Sequence, residues 1–292
     1  FYYKIPLGER GYQMVRADKM YIRFWGVRGS ICTPGKETIK YGGNTSCIEI
    51  RCGKEIFILD AGSGIRKLGN KILTEKPQHL NILFSHFHWD HIQGFPFFAP
   101  VFNSKYSITL VGERKLNFTL EQLFTAQLMF PYFPLSLSDL NAKINFNEIT
   151  RNDSIRKNNV TIKLARLNHP GGCIGYRIEY GGKSFVYATD TEHFSCMDAS
   201  LLKLSSNADV LVYDSNYTED EYAGKIGPPR TGWGHSTWTQ GVKVAKAAKV
   251  KKFILFHHDP AHDDKFVDKL EREARKEFKE SYAAYEGMEL NL

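Results

Sequence analysis

The chain has 292 residues, 42% hydrophobic and 13% aromatic, enough apolar mass for one large α/β domain or two smaller ones. Its formal charge of +7 favours an anionic partner such as a phosphate ester or nucleic acid, but the Lys and Arg residues are dispersed and form no basic tail. No stretch is apolar for long enough to span a bilayer, and the first residues lack the charged-then-apolar order of a secretory signal. Five scattered cysteines without a C-x-x-C pair argue against a disulfide framework and for a reducing, cytoplasmic setting.

In chain order, residues 1–20 are uninformative and are set apart as an N-terminal extension. Residues 20–27 alternate apolar and polar, as a strand does. The loop Arg28-Gly29-Ser30 and the turn Thr33-Pro34-Gly35 follow. The glycine loop 41–46 allows either close approach to a ligand or simple tight turns, and it enters a strand over 47–50. A buried strand over 56–59 ends in Asp60. The glycines after it mark a turn into a helix over 65–73, and their spacing excludes a phosphate-binding P-loop. The apolar run 80–84 then leads into Ser85-His86-Phe87-His88-Trp89-Asp90-His91. The aromatic-proline loop 95–100 reads equally as packed support or as a cleft wall.

Strands follow over 106–111, 144–149 and 160–167, with a helix over 119–129 between the first two. The strand over 160–167 runs into Asn168-His169-Pro170-Gly171-Gly172. Strands over 173–180 and 183–187 flank Gly181-Gly182, a hairpin signal, and the second runs on to Asp190. Residues 210–213 lead to Asp214. The segment 236–250 is an amphipathic helix with Ser236 as its expected N-cap. Residues 253–256 end in His257-His258, and 263–279 form a charged helix.

Six apolar strands thus end in a residue able to bind or orient a metal: Asp60, His86, His169, Asp190, Asp214 and His257. Sites in open α/β sheets collect beyond strand ends. Alternate residues of an extended chain point the same way, so His86 and His88 can grip one ion together, joined by His169. Asp90, His91 and His257 can hold a second, with Asp190 shared between the two. His258 is the alternative to His257. Imidazole and carboxylate donors suit zinc, with manganese or iron also accommodated. Two such ions would supply a bridging hydroxide as nucleophile at neutral pH. Asp60 is placed to fix the tautomer of a ligand imidazole. His235, in Gly-Trp-Gly-His-Ser-Thr, reads as a general acid oriented by Asp214, and Asp90 counts among the catalytic residues as well as the ligands. Arg28, Lys36 and Arg230 are candidates for holding phosphate.

The run SHFHWDH resembles the H-x-H-x-D-H signature of the metallo-β-lactamase superfamily, and Asp60, His169, Asp190 and His257 follow in that family's order. The resemblance covers Met20 to the C-terminus. It implies a four-layer αββα sandwich of two pseudo-equivalent halves, with residues 21–292 forming one hydrolase domain and the metals at one edge. The segments VLVYDSNY, GHST and FILFHH are similar to the phosphodiesterase branch, which includes ribonuclease Z and phosphoribosyl cyclic phosphodiesterase. Asp214 and His235 map onto an acidic–histidine pair of ribonuclease Z, which has glutamate at the acidic position. WGVRGS, YGGNTS and LDAGSGIRKLG are most like bacterial cyclic-nucleotide-type phosphodiesterases. No long glycine-proline-rich arm for gripping tRNA is evident, and residues 112–145 are short and apolar for that task. The expected function is therefore a binuclear phosphodiesterase acting on a small phosphodiester or nucleotide. Its rivals are a tRNA 3′-end nuclease, a sensory metal-centre module and a thioester or lactam hydrolase. The intact His86, His88 and His91 weigh against the iron redox members, which replace a cluster histidine with glutamate. A homo-oligomer is compatible with the sequence.

Overall fold

The computed structural model describes residues 19–150 and 153–292, together with the backbone of two short strands before them. Those strands, β1 (Tyr2–Pro6) and β2 (Tyr12–Arg16), pair antiparallel in a small sheet of their own. Residues 1, 7–11, 17 and 18 of the extension expected over 1–20 lie outside the described residues, and Met20 already opens the next strand. The first half continues with β3 (Met20–Gly26), β4 (Cys47–Cys52), β5 (Glu55–Leu59), α1 (Ile65–Glu75), β6 (His79–Leu83), α2 (Trp89–Ile92), β7 (Ser107–Glu113), α3 (Leu120–Gln127) and β8 (Lys143–Ile149). The second half holds β9 (Ser154–Lys157), β10 (Val160–Leu167), β11 (Cys173–Tyr180), β12 (Lys183–Ala188), α4 (Ala199–Ser205), β13 (Val210–Asp214), α5 (Glu219–Tyr222), α6 (Trp238–Ala247), β14 (Phe253–Phe256), α7 (Asp264–Glu277), β15 (Ser281–Ala283) and β16 (Glu289–Asn291).

Two seven-stranded mixed sheets result, ordered β16-β3-β4-β5-β6-β7-β8 and β15-β14-β13-β12-β11-β10-β9. Their facing sides share one core, where Phe24, Phe57, Tyr176, Phe185, Tyr187 and Phe256 are all buried. Each such side chain contributes on the order of 1.5–3 kcal/mol by leaving water. Two tyrosines also pin the sheets together: Tyr176 donates to the Phe84 carbonyl at 2.6 Å, and Tyr187 donates to Asp60 at 2.8 Å. On the outer faces, α1 buries Ile65, Leu68 and Ile72 against the first sheet. Helices α4, α6 and α7 cover the second sheet. The layering is the expected αββα sandwich. Among the described residues no helix is long and apolar enough to cross a membrane.

Local chemistry adjusts several expected boundaries. Thr237, not Ser236, caps α6, its side chain accepting from the Gln240 amide. Ser236 is held one residue earlier in the loop, where its hydroxyl meets Tyr213 and His193. Asp263 caps α7 from outside the helix. The aromatic-proline loop is packed support: Phe95, Pro96, Phe98 and Pro100 are buried, with Phe95 and Phe98 in the core beneath α1, while Phe97 is exposed.

Strand direction explains why the site lies at one edge. β5 and β6 are parallel, as are β12, β13 and β14. β10 and β12 both pair antiparallel with β11, so they too run the same way. Within each sheet these strands thus run the same way, and the donor groups at their C-terminal ends meet across the two sheets. At three of these ends the chain turns sharply through the left-handed region, at Asp60 (φ 59°), Asp190 (φ 51°) and His257 (φ 62°). Asp and His tolerate that conformation better than most residues, yet it carries a cost that concentrates at functional positions.

Candidate metal centre

The strand ends bring His86, His88 and His169 into one cluster, and Asp90, His91 and His257 into a second. His86 and His91 also group with Asp190, and within each group the candidate ligand atoms lie within 4.8 Å of one another. His86, Asp190, His91, His257 and Asp90 are buried, while His88 is exposed at the rim. Asp190 faces both clusters. One of its oxygens lies 3.3 Å from both His91 Nε2 and His257 Nε2, and the other lies 3.6 Å from His86 Nε2 and 3.8 Å from His169 Nε2.

The spacing of these atoms suits a tetrahedral ion. Metal–ligand bonds of about 2.0–2.1 Å in a tetrahedron set neighbouring donors about 3.3–3.4 Å apart. His91 Nε2 and His257 Nε2 are 3.3 Å apart. Asp90 Oδ2 lies 3.2 Å from the first and 3.1 Å from the second. In the other cluster His88 Nδ1 and His169 Nε2 are 3.0 Å apart, and the buried His86 Nε2 has no hydrogen-bond partner among the described residues. A buried nitrogen without a partner, facing other ring nitrogens, is costly unless a cation accepts its lone pair. The donor set therefore fits a divalent metal.

Electrostatics keep Asp90, Asp190, His86, His88 and His169 in ligand form. At His91, by contrast, burial is outweighed by Asp90, Asp190 and Asp60, which push its pKa well up, so a metal there displaces a proton. Burial opposes ionisation of Asp90 and Asp190, yet the histidines beside them outweigh it and hold both carboxyls well below the usual range. Burial likewise pushes His86, His88 and His169 down, which preserves the neutral imidazole that binds metal.

A surrounding shell aims these rings. Asp60 accepts from His91 Nδ1 at 2.8 Å, leaving His91 Nε2 turned to the cluster, and it also accepts from the Ser85 amide, the Ser85 hydroxyl and Tyr187. His169 Nδ1 donates to the Gly234 carbonyl at 2.7 Å. Two glycines permit this crowding. A Cβ on Gly29 would sit 2.4 Å from His257 Nδ1, and one on Gly234 (φ +87°) would sit 2.3 Å from His169 Nδ1.

His235 stands beside the clusters on the loop before α6. Its Nδ1 donates to Asp214 at 2.8 Å, and Asp190 lies at 3.9 Å. Burial favours the neutral ring, but the carboxylates, Asp214 first, prevail and push the His235 pKa up to about 9. Glu192, a residue that sequence reasoning missed, shapes the same loop from beneath. Fully buried, it accepts from the Gly232 and Gly234 amides at 2.7 and 2.9 Å and from Tyr222 at 2.7 Å. Its only sequence signal is that it stands two positions after Asp190.

Other candidates lie elsewhere. His258 is buried facing away, its Nε2 donating to the Ala284 carbonyl, so it does not join the donors. Arg28 is also buried rather than turned to solvent. It ties the β3–β4 connection to the β14–α7 connection by donating to the carbonyls of Gly42, Asp259 and His262, and is no phosphate contact. Lys36 is exposed on a short 3₁₀ turn outside the donor groups. Arg230 does stand near the centre, stacked 4.4 Å over Trp233 and 5.5 Å from the Tyr217 ring, which in turn meets His235 edge-on.

Residues 56–258 match the family profile of the beta-lactamase superfamily domain, a span that holds every donor described above. The chain belongs to that superfamily. Among superfamily relatives, ribonuclease Z of Picrophilus torridus is 27% identical over 321 aligned residues, covering 94% of this chain and 97% of that protein. Among solved structures, the metallo-beta-lactamase fold protein YhfI from Bacillus subtilis superposes with a TM-score of 0.71 at 20% identity, covering 94% of this chain and all of that one. A diphosphatase of the PhnP family superposes at 0.65 with 16% identity, covering 94% and 97%. These structural likenesses establish the shared superfamily fold.

Proposed function

We propose that the protein is a metal-dependent hydrolase that cleaves phosphodiesters. The observation carrying this reading is the His235–Asp214 pair placed beside the donor clusters, an arrangement with no evident task in thioester or lactam hydrolysis. His86, His88 and His169 would hold one divalent ion, Asp90, His91 and His257 a second, with Asp190 shared between them. Ions held there would supply Lewis acidity, lowering the pKa of water at the site and offsetting charge on phosphoryl oxygens. His235 would deliver its proton to the departing alkoxide, while Asp214 orients the ring and stabilises its charged form. Asp60 fixes the His91 tautomer. Arg230, held by two aromatic rings at the rim, is positioned to meet a phosphate oxygen.

A panel of bis(p-nitrophenyl) phosphate, cyclic nucleotides, precursor tRNA and a thioester, assayed on zinc- or manganese-loaded protein, tests the class. Turnover of a phosphodiester is expected, with His235→Ala about 10²–10⁴-fold slower. Fast thioester turnover without phosphodiester turnover would overturn the class. Full activity in His235→Ala would remove only its role as acid.

The similarity to ribonuclease Z over nearly the full length of both chains favours a second reading, cleavage at the 3′ end of tRNA precursors. Its signature would be precursor tRNA binding that weakens steeply with salt. Between β7 and β8 the chain forms one eight-residue α-helix, which leaves little protein there to grip a folded RNA.

A further inference from the structure

A cleft of about 640 Å³ opens beside His86 and His88, with walls that the donor clusters do not use. Its two lips are the loop 114–118 after β7 and the turn 170–172 after His169. Lys115 ties the lips together. Its Nζ pairs with Glu113 at 2.6 Å and donates to the Gly171 carbonyl at 2.8 Å, so its charge is already engaged. Two other cations are not engaged in this way. The Arg114 side chain is 73% exposed and approaches Glu148 only to 3.8 Å. Arg166, also exposed, makes no side-chain hydrogen bond or ion pair among the described residues. The lining also carries two aromatic side chains, Phe87, whose ring lies 5.8 Å from Lys115 Nζ, and Phe118, which is 56% exposed.

We propose that this cleft is the specificity subsite of the reaction and receives the arm of the phosphodiester that carries both a ring and a second phosphate, a nucleotide unit. The proposal rests on the phosphodiesterase reading and adds the substrate's second anion to it. Guanidinium groups match phosphate oxygens in a paired geometry, and a flat ring packs on exposed aromatic faces. With Lys115 balanced by Glu113, the positive character of the cleft rests on Arg166 and on Arg114, whose nearest carboxylate, Glu148, lies outside the cleft lining at 3.8 Å. The volume falls within the range of small-ligand sites. A simple alkyl ester would fill neither the aromatic wall nor the two arginines.

The test compares three chromogenic esters on the metal-loaded chain: methyl p-nitrophenyl phosphate, thymidine 5′-(p-nitrophenyl phosphate), and the same thymidine ester bearing a 3′-phosphate. The 3′-phosphate should raise kcat/KM roughly tenfold or more, as a charge-assisted pair does, mainly through KM. That increment should vanish in the double variant Arg114→Gln, Arg166→Gln and persist in the remote control Lys276→Gln. In parallel, thymidine 3′,5′-bisphosphate should bind the double variant at least tenfold more weakly by calorimetry, a readout that does not require turnover. Equal kcat/KM with and without the 3′-phosphate, or an increment that survives in the double variant, overturns the subsite. Unaltered bisphosphate affinity in the double variant overturns it too. Failure of all three esters beside fast thioester turnover instead overturns the phosphodiesterase reading, while the calorimetric comparison still decides the cleft.

Discussion

Replacing Asp60 with Asn removes one charge and almost no volume, so its effects come from charge and hydrogen bonding and not from packing. Asp60 Oδ1 accepts from the Ser85 amide at 2.7 Å, while Oδ2 accepts from the Ser85 hydroxyl, His91 Nδ1 and Tyr187 at 2.7–2.8 Å. A carboxamide offers a single oxygen. With that oxygen on the three-donor side, its NH₂ opposes the buried Ser85 amide, and the reverse orientation sets NH₂ against three donors. At least one buried donor therefore loses its acceptor, at a cost of about 1–3 kcal/mol. The neutral amide also no longer draws the His91 proton toward Nδ1, which weakens Nε2 as a ligand. Losses of this kind lower metal affinity about 10–100-fold, or about 1.4–2.7 kcal/mol. Competition against a chromophoric chelator measures the affinity, and the urea midpoint of chelated protein measures the stability. Both should fall in Asp60→Asn. If stability falls while zinc affinity stays at the wild-type level, Asp60 pins the sheets but does not tune His91, and the reasoning fails.

Gly234→Ala combines a left-handed backbone with a Cβ driven toward His169, so metal content by elemental analysis should drop well below that of wild type. Glu192→Gln turns an NH₂ toward amides that need an acceptor, and kcat should fall about 10–100-fold at unchanged metal content as His235 loses its placement. Unchanged kcat would mean that the loop holds itself. Burial, reinforced by Arg28, pushes the His258 pKa down to about 3 from an ordinary 6.5. The unfolded chain therefore takes up a proton that the folded one refuses. The neutral ring's contribution is complete above pH 6.5 and drains as pH falls toward 3, by on the order of 4–5 kcal/mol in all. His258→Gln should flatten the acid side of the urea-midpoint profile of chelated protein. An unchanged profile would show that His258 takes up its proton while still folded.

Strand ends were legible in the sequence because continuous apolar runs stop abruptly at residues that no core would accept unpaired. Asp60, His86, His169, Asp190, Asp214 and His257 all come together as that pattern requires. What stayed hidden was decided by distant partners. His257 and His258 are adjacent in sequence, and only a left-handed turn at the first and a carbonyl 26 residues beyond the second separate their tasks. Arg28 looks like any surface cation until the carbonyls of Asp259 and His262 arrive more than 230 residues later. Glu192 resembles a loop acid because the amides it holds lie 40 and 42 residues away. β15 and β16 are three residues each, too short for a period to show.

The pairing of β16 with β3 joins segments 266 residues apart, Arg23 facing Glu289 across the ladder. During synthesis β3 emerges from the ribosome long before its neighbour is made, with one row of backbone amides and carbonyls open to any strand that meets it. The nascent molecule is most exposed to mispairing throughout that wait. Chaperone dependence should therefore centre on the 20–26 segment, and peptides mimicking β16 should compete for it only before translation is complete.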